Sequence, residues 1–311
     1  MRAAVLEGFG VAPEVRDVPE PVPAPGEVKV RVQASSVNSF DTMLAAGAMN
    51  GRYDHNFPIV LGKDFAGTVT EVGADVTGFA VGDEVFGVTA KPVITDGGGY
   101  GEYLTTSAQF GIAHVPAGLD LATAGVLGLA GAAATAAVDA LGELAGKTVL
   151  VSGATGGVGA FAVQLAVARG ATVIATAAPG KATEHVRGLG AHHAVDYRGD
   201  LATQVKELSP DGVHAIVHLA GDGPTLASVL IDGGHIVSAA HLSQEQLGGH
   251  NAKVTAVMAG PAQPVLDHLA AEAAAGRIVV PVARTYSVNE IPEAYAHFGS
   301  GVLGKLAISV A

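Results

Sequence analysis

The residues best placed to do chemistry form a run of small side chains, Ala154-Thr155-Gly156-Gly157-Val158-Gly159. An apolar run, Val149-Leu150-Val151, precedes it, and a helix-compatible stretch through Val163, Leu165 and Ala166 follows. The spacing is the dinucleotide fingerprint G-x-G-x-x-G with Ala in the first place. In such a turn Gly156 lets the backbone approach a pyrophosphate. Gly159 lets helix and strand pack closely, and the helix N-terminus offers free N–H groups to the phosphates.

A dinucleotide site distinguishes its two cofactors at the end of the second strand, where an Asp or Glu holds the ribose diol of NAD. Here that strand ends Ile174-Ala175-Thr176, and no acidic residue lies between Glu143 and Glu184. Lys181 follows in the next turn, either a cation for a 2′-phosphate or a solvated lysine at a helix start. A missing acid beside an available cation predicts NADP(H), with Thr176 and Lys181 at the ribose end. Gly221, after a strand ending at Leu219, marks a further strand end that a dinucleotide passes.

The elements that must hold these residues alternate. Strands are predicted at Thr148, Thr172 to Thr176, His193 to Asp196, Val213 to Leu219, His235 to Ala239 and Lys253 to Met258. Helices fall after Gly157, near Lys181 to Leu189, and from Pro261 to Gly276. This order predicts an α/β doubly wound parallel sheet. Before about Val115-Pro116 the pattern is different. Short strands punctuated by glycine, such as Val28 to Ala34, Gly67 to Gly73 and Gly82 to Gly87, predict a small irregular β-barrel. Residues Val279 to Val310 return to short strands, so the first domain is expected to be discontinuous.

Composition narrows the function classes. A chain of 311 residues suggests about two domains. A net charge of -12, with no basic cluster, argues against a nucleic-acid surface. The absence of Cys removes disulfides, cysteine nucleophiles and thiolate zinc sites. The uncharged stretch Leu121 to Val138 is rich in Ala and Gly and lacks a basic flank, so buried helices are expected rather than a membrane span. The N-terminal apolar run is too short for a signal peptide, which leads to an expected cytoplasmic location.

Several motifs in order carry a family resemblance: Val37-Asn38-Ser39-Phe40-Asp41, Leu61-Gly62-Lys63-Asp64-Phe65-Ala66-Gly67 and Val81-Gly82-Asp83-Glu84-Val85-Phe86-Gly87, followed by Gly101-Glu102-Tyr103, Ala134-Thr135-Ala136, the glycine turn, Leu189-Gly190-Ala191 and Gly304-Lys305. The chain resembles the zinc-independent, zeta-crystallin-like quinone oxidoreductases of the medium-chain dehydrogenase/reductase superfamily. The resemblance implies a GroES-like catalytic domain over 1–118 and 259–311 and a Rossmann NADP-binding domain over 119–258. It places Thr135 and Val158 beside the nicotinamide and Lys181 with Tyr197 at the 2′-phosphate. It also puts Asn38 and Lys63 where the superfamily's alcohol dehydrogenases carry Cys and His zinc ligands. Loops 45–55 and 90–100 are expected to line the cleft.

Without a metal, a reduced carbonyl needs hydrogen-bond donors for its growing negative charge. Asn38, Tyr53 and Lys63 are the candidates, with an ion-paired or surface role as the alternative for Lys63. The implied activity is NADPH-dependent hydride transfer to a quinone or to the C=C of an α,β-unsaturated carbonyl. An enoyl-thioester reductase and a non-catalytic NADPH-binding protein stay open. A short-chain reductase is set aside, because no Tyr is followed by Lys four residues on. Similar proteins pair as homodimers along the last Rossmann strand.

Overall fold

The computed structural model describes residues 1–91 and 93–310. Pro92, within the 90–100 loop named above, and Ala311 lie outside the described residues. The chain divides into two compact units, Met1–Ala132 with Pro261–Ala311, and Ala133–Gly260.

The second unit is built on six parallel strands in the order His193–Val195, Thr172–Thr176, Thr148–Ser152, Val213–His218, Leu230–Ser238, Ala252–Ala256. Val149, Leu150 and Val151 are consecutive and fully buried, which requires cover on both faces of the sheet. The chain steps outward from Thr148–Ser152 first to one side and then to the other. The glycine turn therefore sits at the C-terminal end of the strand where the order reverses, which is where open α/β sheets bind ligands. Helix Gly157–Ala168 is buried continuously from Gly159 to Ala166, so it lies within the core rather than on the surface.

Some boundaries differ from those read off the sequence. The last strand stops at Ala256, and Met258, beyond it, is 77% exposed. Helix Leu201–Leu208 was not anticipated. Its sign was short: Asp200 caps it by accepting the Thr203 N–H at 3.0 Å, and only Leu201 and Val205 are buried. The stretch from Leu121 forms two helices, Leu121–Ala124 and Gly128–Ala140. Among the described residues no helix is long and apolar enough to cross a membrane.

The first unit holds a seven-stranded sheet. Strand Glu27–Ser36 pairs antiparallel with Asp64–Val72, with Tyr103–Ser107 and with Lys305–Ser309. Its inward face, Val28, Val30 and Val32, packs with Phe65, Val69, Val85 and Leu104. The strand Lys305–Ser309 is thus an internal member of a sheet begun near the N-terminus, paired on its other side with Val282–Ser287.

That insertion carries a charge into the interior. Asp64 has no exposure, and Lys305 Nζ lies 3.5 Å from its Oδ2. Oδ2 also accepts from Ser36 Oγ at 2.5 Å and Asn38 Nδ2 at 2.9 Å, and Oδ1 accepts the Leu129 N–H at 2.7 Å. Lys305 completes its own bonding on Asn38 Oδ1 at 2.5 Å and the Val37 carbonyl at 3.1 Å. Every member of the cluster is compensated, so removing one strands the rest. Lys305→Met is expected to lower unfolding stability by about 3–5 kcal/mol. Urea denaturation reads this directly, and a loss below about 1 kcal/mol would show that Asp64 is not held by that charge.

Candidate active site

In the second unit the glycine turn joins Thr148–Ser152 to helix Gly157–Ala168, with Gly156 as the N-cap. Two glycines there have different physical causes. A Cβ on Gly159 would stand 2.2 Å from the Gly153 carbonyl oxygen and 2.6 Å from Ala154 Cα, so close packing demands glycine. A Cβ on Gly156 would meet nothing nearer than 3.7 Å. Nothing in the protein's own packing requires Gly156, and the space above it is left open at the positive end of a helix. That open cradle fits a dinucleotide pyrophosphate, with Ala154, Thr155, Gly157 and Val158 around it. Ala154 is fully buried, whereas Thr155, Gly157 and Val158 are half-buried.

Most of the other expected cofactor residues lie at or just past the ends of the sheet strands. Thr176 is buried, and its Oγ1 accepts the Gly153 N–H at 3.0 Å and donates to the Val151 carbonyl at 3.4 Å. Its hydroxyl therefore braces the glycine turn. Lys181 opens helix Lys181–Gly188 and is exposed. Tyr197 is 59% exposed just past His193–Val195. The neighbouring acid, Asp196, is taken by Arg198 through two bonds of 2.9 Å, which holds its carboxyl below the usual range. Thr135 is buried within helix Gly128–Ala140. Gly221, at φ +99°, turns the chain after Val213–His218. It borders a cavity of about 450 Å³ shared with His218, Asp222, His241 and Gln246.

In the first unit Asn38 caps helix Ser39–Ala45, and Asp41 reaches back to accept its backbone N–H at 2.9 Å. Asp41 Oδ1 also accepts the Lys63 N–H at 3.0 Å. Asp41 thereby ties the helix to the Leu61–Lys63 turn. Burial, reinforced by the charge of Asp64, pushes its carboxyl up to about 7. The Asn38 side chain is 6% exposed, with both ends of its amide engaged by Asp64 and Lys305. Asn38 is a hub of the interior and not an open donor.

Lys63 is placed differently. Its Nζ donates to the Thr89 carbonyl at 2.8 Å and lies 4.7 Å from the centre of the Phe40 ring. No ion pair to it occurs among the described residues. Burial lowers its pKa, opposed by Asp41 and Asp64. It lines a pocket of about 30 Å³ with Phe40, Asp41, Thr89, Lys91 and Gly98. Tyr53, 43% exposed, meets the same Phe40 ring edge-on at 5.5 Å. The structure thus brings Tyr53 and Lys63 to one aromatic ring, while Asn38 is buried against Asp64 and Lys305.

A tetrahedral zinc does not fit this chemistry. The chain has no thiolate, and an amide and an ammonium group, from Asn38 and Lys305, stand against Asp64. Among the described residues no three His, Asp or Glu side chains gather into a metal site. Sequence reasoning missed Phe40 and Lys305 as site-shaping residues. The available sign was a lysine opening an otherwise apolar strand, Lys305-Leu306-Ala307-Ile308.

Residues 24–117 match the alcohol dehydrogenase GroES-like domain family and residues 157–260 the zinc-binding dehydrogenase family. The chain is 36% identical over 210 residues to phthioceranic/hydroxyphthioceranic acid synthase of Mycobacterium tuberculosis, covering 67% of this chain. It spans only 10% of the length of that synthase. It is 31% identical to the human mitochondrial NAD(P)H oxidoreductase RTN4IP1 over 92% of this chain and 82% of that one. A quinone oxidoreductase from Coxiella burnetii superposes with a TM-score of 0.90 at 26% identity, over 100% of this chain and 99% of the other.

Two substitutions separate packing from ligand at the glycine turn. Gly159→Ala should cost about 1–3 kcal/mol of stability through its backbone clash. Gly156→Ala should fold within about 1 kcal/mol of the parent yet bind NADPH at least about tenfold more weakly. Thermal melts and fluorescence titration read both, and unchanged binding by Gly156→Ala would remove the pyrophosphate from that cradle. The human oxidoreductase is alike along most of both chains, two domain families match in order, and the chain has no thiolate to hold a zinc; the chain belongs to the zinc-independent quinone-oxidoreductase group of the medium-chain dehydrogenase/reductase superfamily, with a GroES-like domain and an NAD(P)(H)-binding Rossmann domain.

Proposed function

We propose that this protein is an NADPH-dependent reductase that transfers hydride to a quinone or to the C=C of an α,β-unsaturated carbonyl. The observation that carries the cofactor choice is the second strand end. No acid follows Thr172–Thr176 before Glu184, Asp196 is occupied by Arg198, and Lys181 stands exposed. A 2′-phosphate would meet the Lys181 ammonium there and no acid at the strand end itself, with Tyr197 past the neighbouring strand. Bound NADPH supplies the hydride. The chain's own residues supply orientation and charge stabilisation.

Reduction of a conjugated carbonyl places negative charge on its oxygen. Lys63, presented at the Phe40 ring by Thr89, and the Tyr53 hydroxyl are the donors that would receive that oxygen. Thr135 and Val158 would border the nicotinamide. Asn38 and Asp41 act through position: they fix the helix start and the turn that present Lys63. The proton that completes the reduction comes from Tyr53 or from solvent. Likeness to a segment of that synthase favours a second substrate class, an enoyl thioester.

The same reading includes a homodimer. Among the described residues Ala252–Ala256 is paired on one side only, an edge of the parallel sheet that a second copy can extend. Light scattering in solution should return twice the chain mass.

The activity is tested by following NADPH absorbance with simple quinones, a free enone and crotonyl-CoA. Turnover of the first two above the thioester supports the proposal, and the reverse order supports the second substrate class. No turnover of any, with NADPH still bound, removes both. In the same assay Lys181→Ala should weaken NADPH at least about tenfold and leave NADH nearly unchanged. Equal losses would take Lys181 away from the 2′-phosphate.

A further inference from the structure

Two strands of the second unit, Val213–His218 and Leu230–Ser238, end side by side, with His218 and Ser238 in register. Ser238 Oγ accepts two backbone N–H groups, from Ala240 at 3.1 Å and Leu242 at 3.1 Å. A hydroxyl has one proton and two acceptor positions, so both acceptor positions are used. The 2.9 Å contact between Ser238 Oγ and His218 Nδ1 must then carry the serine's own proton. Nδ1 is the acceptor, and the ring proton sits on Nε2, which donates to the Gly221 carbonyl at 3.2 Å. The ring is neutral and in one tautomer. It is 4% exposed, and burial holds its pKa below the ordinary histidine value.

His218 thus joins two loops, 219–223 and 239–242, that both line the 450 Å³ cavity at the strand ends. His241 on the second loop has φ +59°, a left-handed conformation that an ordinary residue keeps only when its surroundings impose it. We infer that His218 is a positioning residue for the nicotinamide nucleotide, whose neutral ring holds the Ser238 loop in its binding shape and releases it in acid. This rests on nucleotide binding at the strand ends and not on the substrate or on the choice of NADPH.

The sign follows from the bonding. A protonated ring would aim an Nδ1–H at a serine whose acceptor positions are filled, so the link is present when His218 is neutral and is lost as pH falls through its lowered pKa. The other titratable groups on this strand and the adjoining elements are His214, Asp222, Asp232, His235, His241 and Glu245. Asp222 is held low by Thr225, and His235, three residues before Ser238 on the same strand, bonds Thr255 Oγ1 at 2.9 Å.

The experiment is a fluorescence titration of NADH and NADPH between about pH 7.5 and pH 5, with folding checked by circular dichroism at each pH. NADH carries no 2′-phosphate, so its step reports the protein alone. The wild type should bind NADH about tenfold more weakly at the acid end, the scale of one mispaired buried hydrogen bond. His218→Gln, which keeps a donor and an acceptor but does not titrate, should bind with no step. Ser238→Ala should bind weakly at every pH, and Ser238→Thr, which restores the hydroxyl, should restore the step. An NADH step that persists in His218→Gln or Ser238→Ala, or that is absent from the wild type, overturns the assignment. A preference for NADH with the step intact would overturn the cofactor choice above and leave His218 in its role.

Discussion

The buried carboxylate of Asp64 is the constraint around which the first unit is organised. A charge with no exposure is tolerated only when its lone pairs and its charge are both met. Ser36, Asn38 and Leu129 meet the lone pairs, and Lys305 meets the charge. The lysine comes from the other end of the chain. The return of the C-terminal segment to the first sheet is therefore an electrostatic requirement as well as a β-pairing. The same cluster fixes Asn38, hence the start of helix Ser39–Ala45. Through Asp41 it also fixes the turn that carries Lys63.

The residues of this arrangement are unlike those of a zinc enzyme. Zinc would supply a fixed positive charge to a substrate oxygen. Here the positive groups are two ammonium ions with separate tasks. Lys305 is committed to Asp64 and Asn38. Lys63 is partly desolvated and held by a carbonyl and a ring face, so it keeps bonding capacity for a ligand. Burial lowers the pKa of both lysines, and the two carboxylates oppose that shift.

In the second unit the sheet provides the scaffold and the strand ends provide the site. Hydroxyl groups at those ends serve the protein's own loops: Thr176 braces the glycine turn, Ser152 donates to the Ala220 carbonyl at 2.5 Å, and Ser238 gathers two N–H groups and a histidine. The sheet thereby holds three loops in shape before any ligand arrives, which reduces the ordering cost of binding.

Much of the second unit was legible in the residues because its signals are local. A strand, a glycine turn and a helix N-terminus lie within about twenty residues, and their hydrophobic periods differ. The gap in acidic residues after the turn is likewise a property of one short stretch. Helix Leu201–Leu208 was less legible, because two buried residues and one cap are too little pattern to separate it from a loop.

What the sequence determined by itself was the kind of fold, the order of its parts and the absence of zinc-binding thiolates. These follow from residue types and near-neighbour spacing. What only the tertiary structure decided was the working state of individual side chains. Asn38 reads as a polar residue in a motif until a lysine from the last strand occupies its amide. His218 reads as one histidine among twelve until Ser238 dictates its tautomer. Hydrogen-bonding capacity is finite, and which groups consume it depends on contacts between residues far apart in the chain.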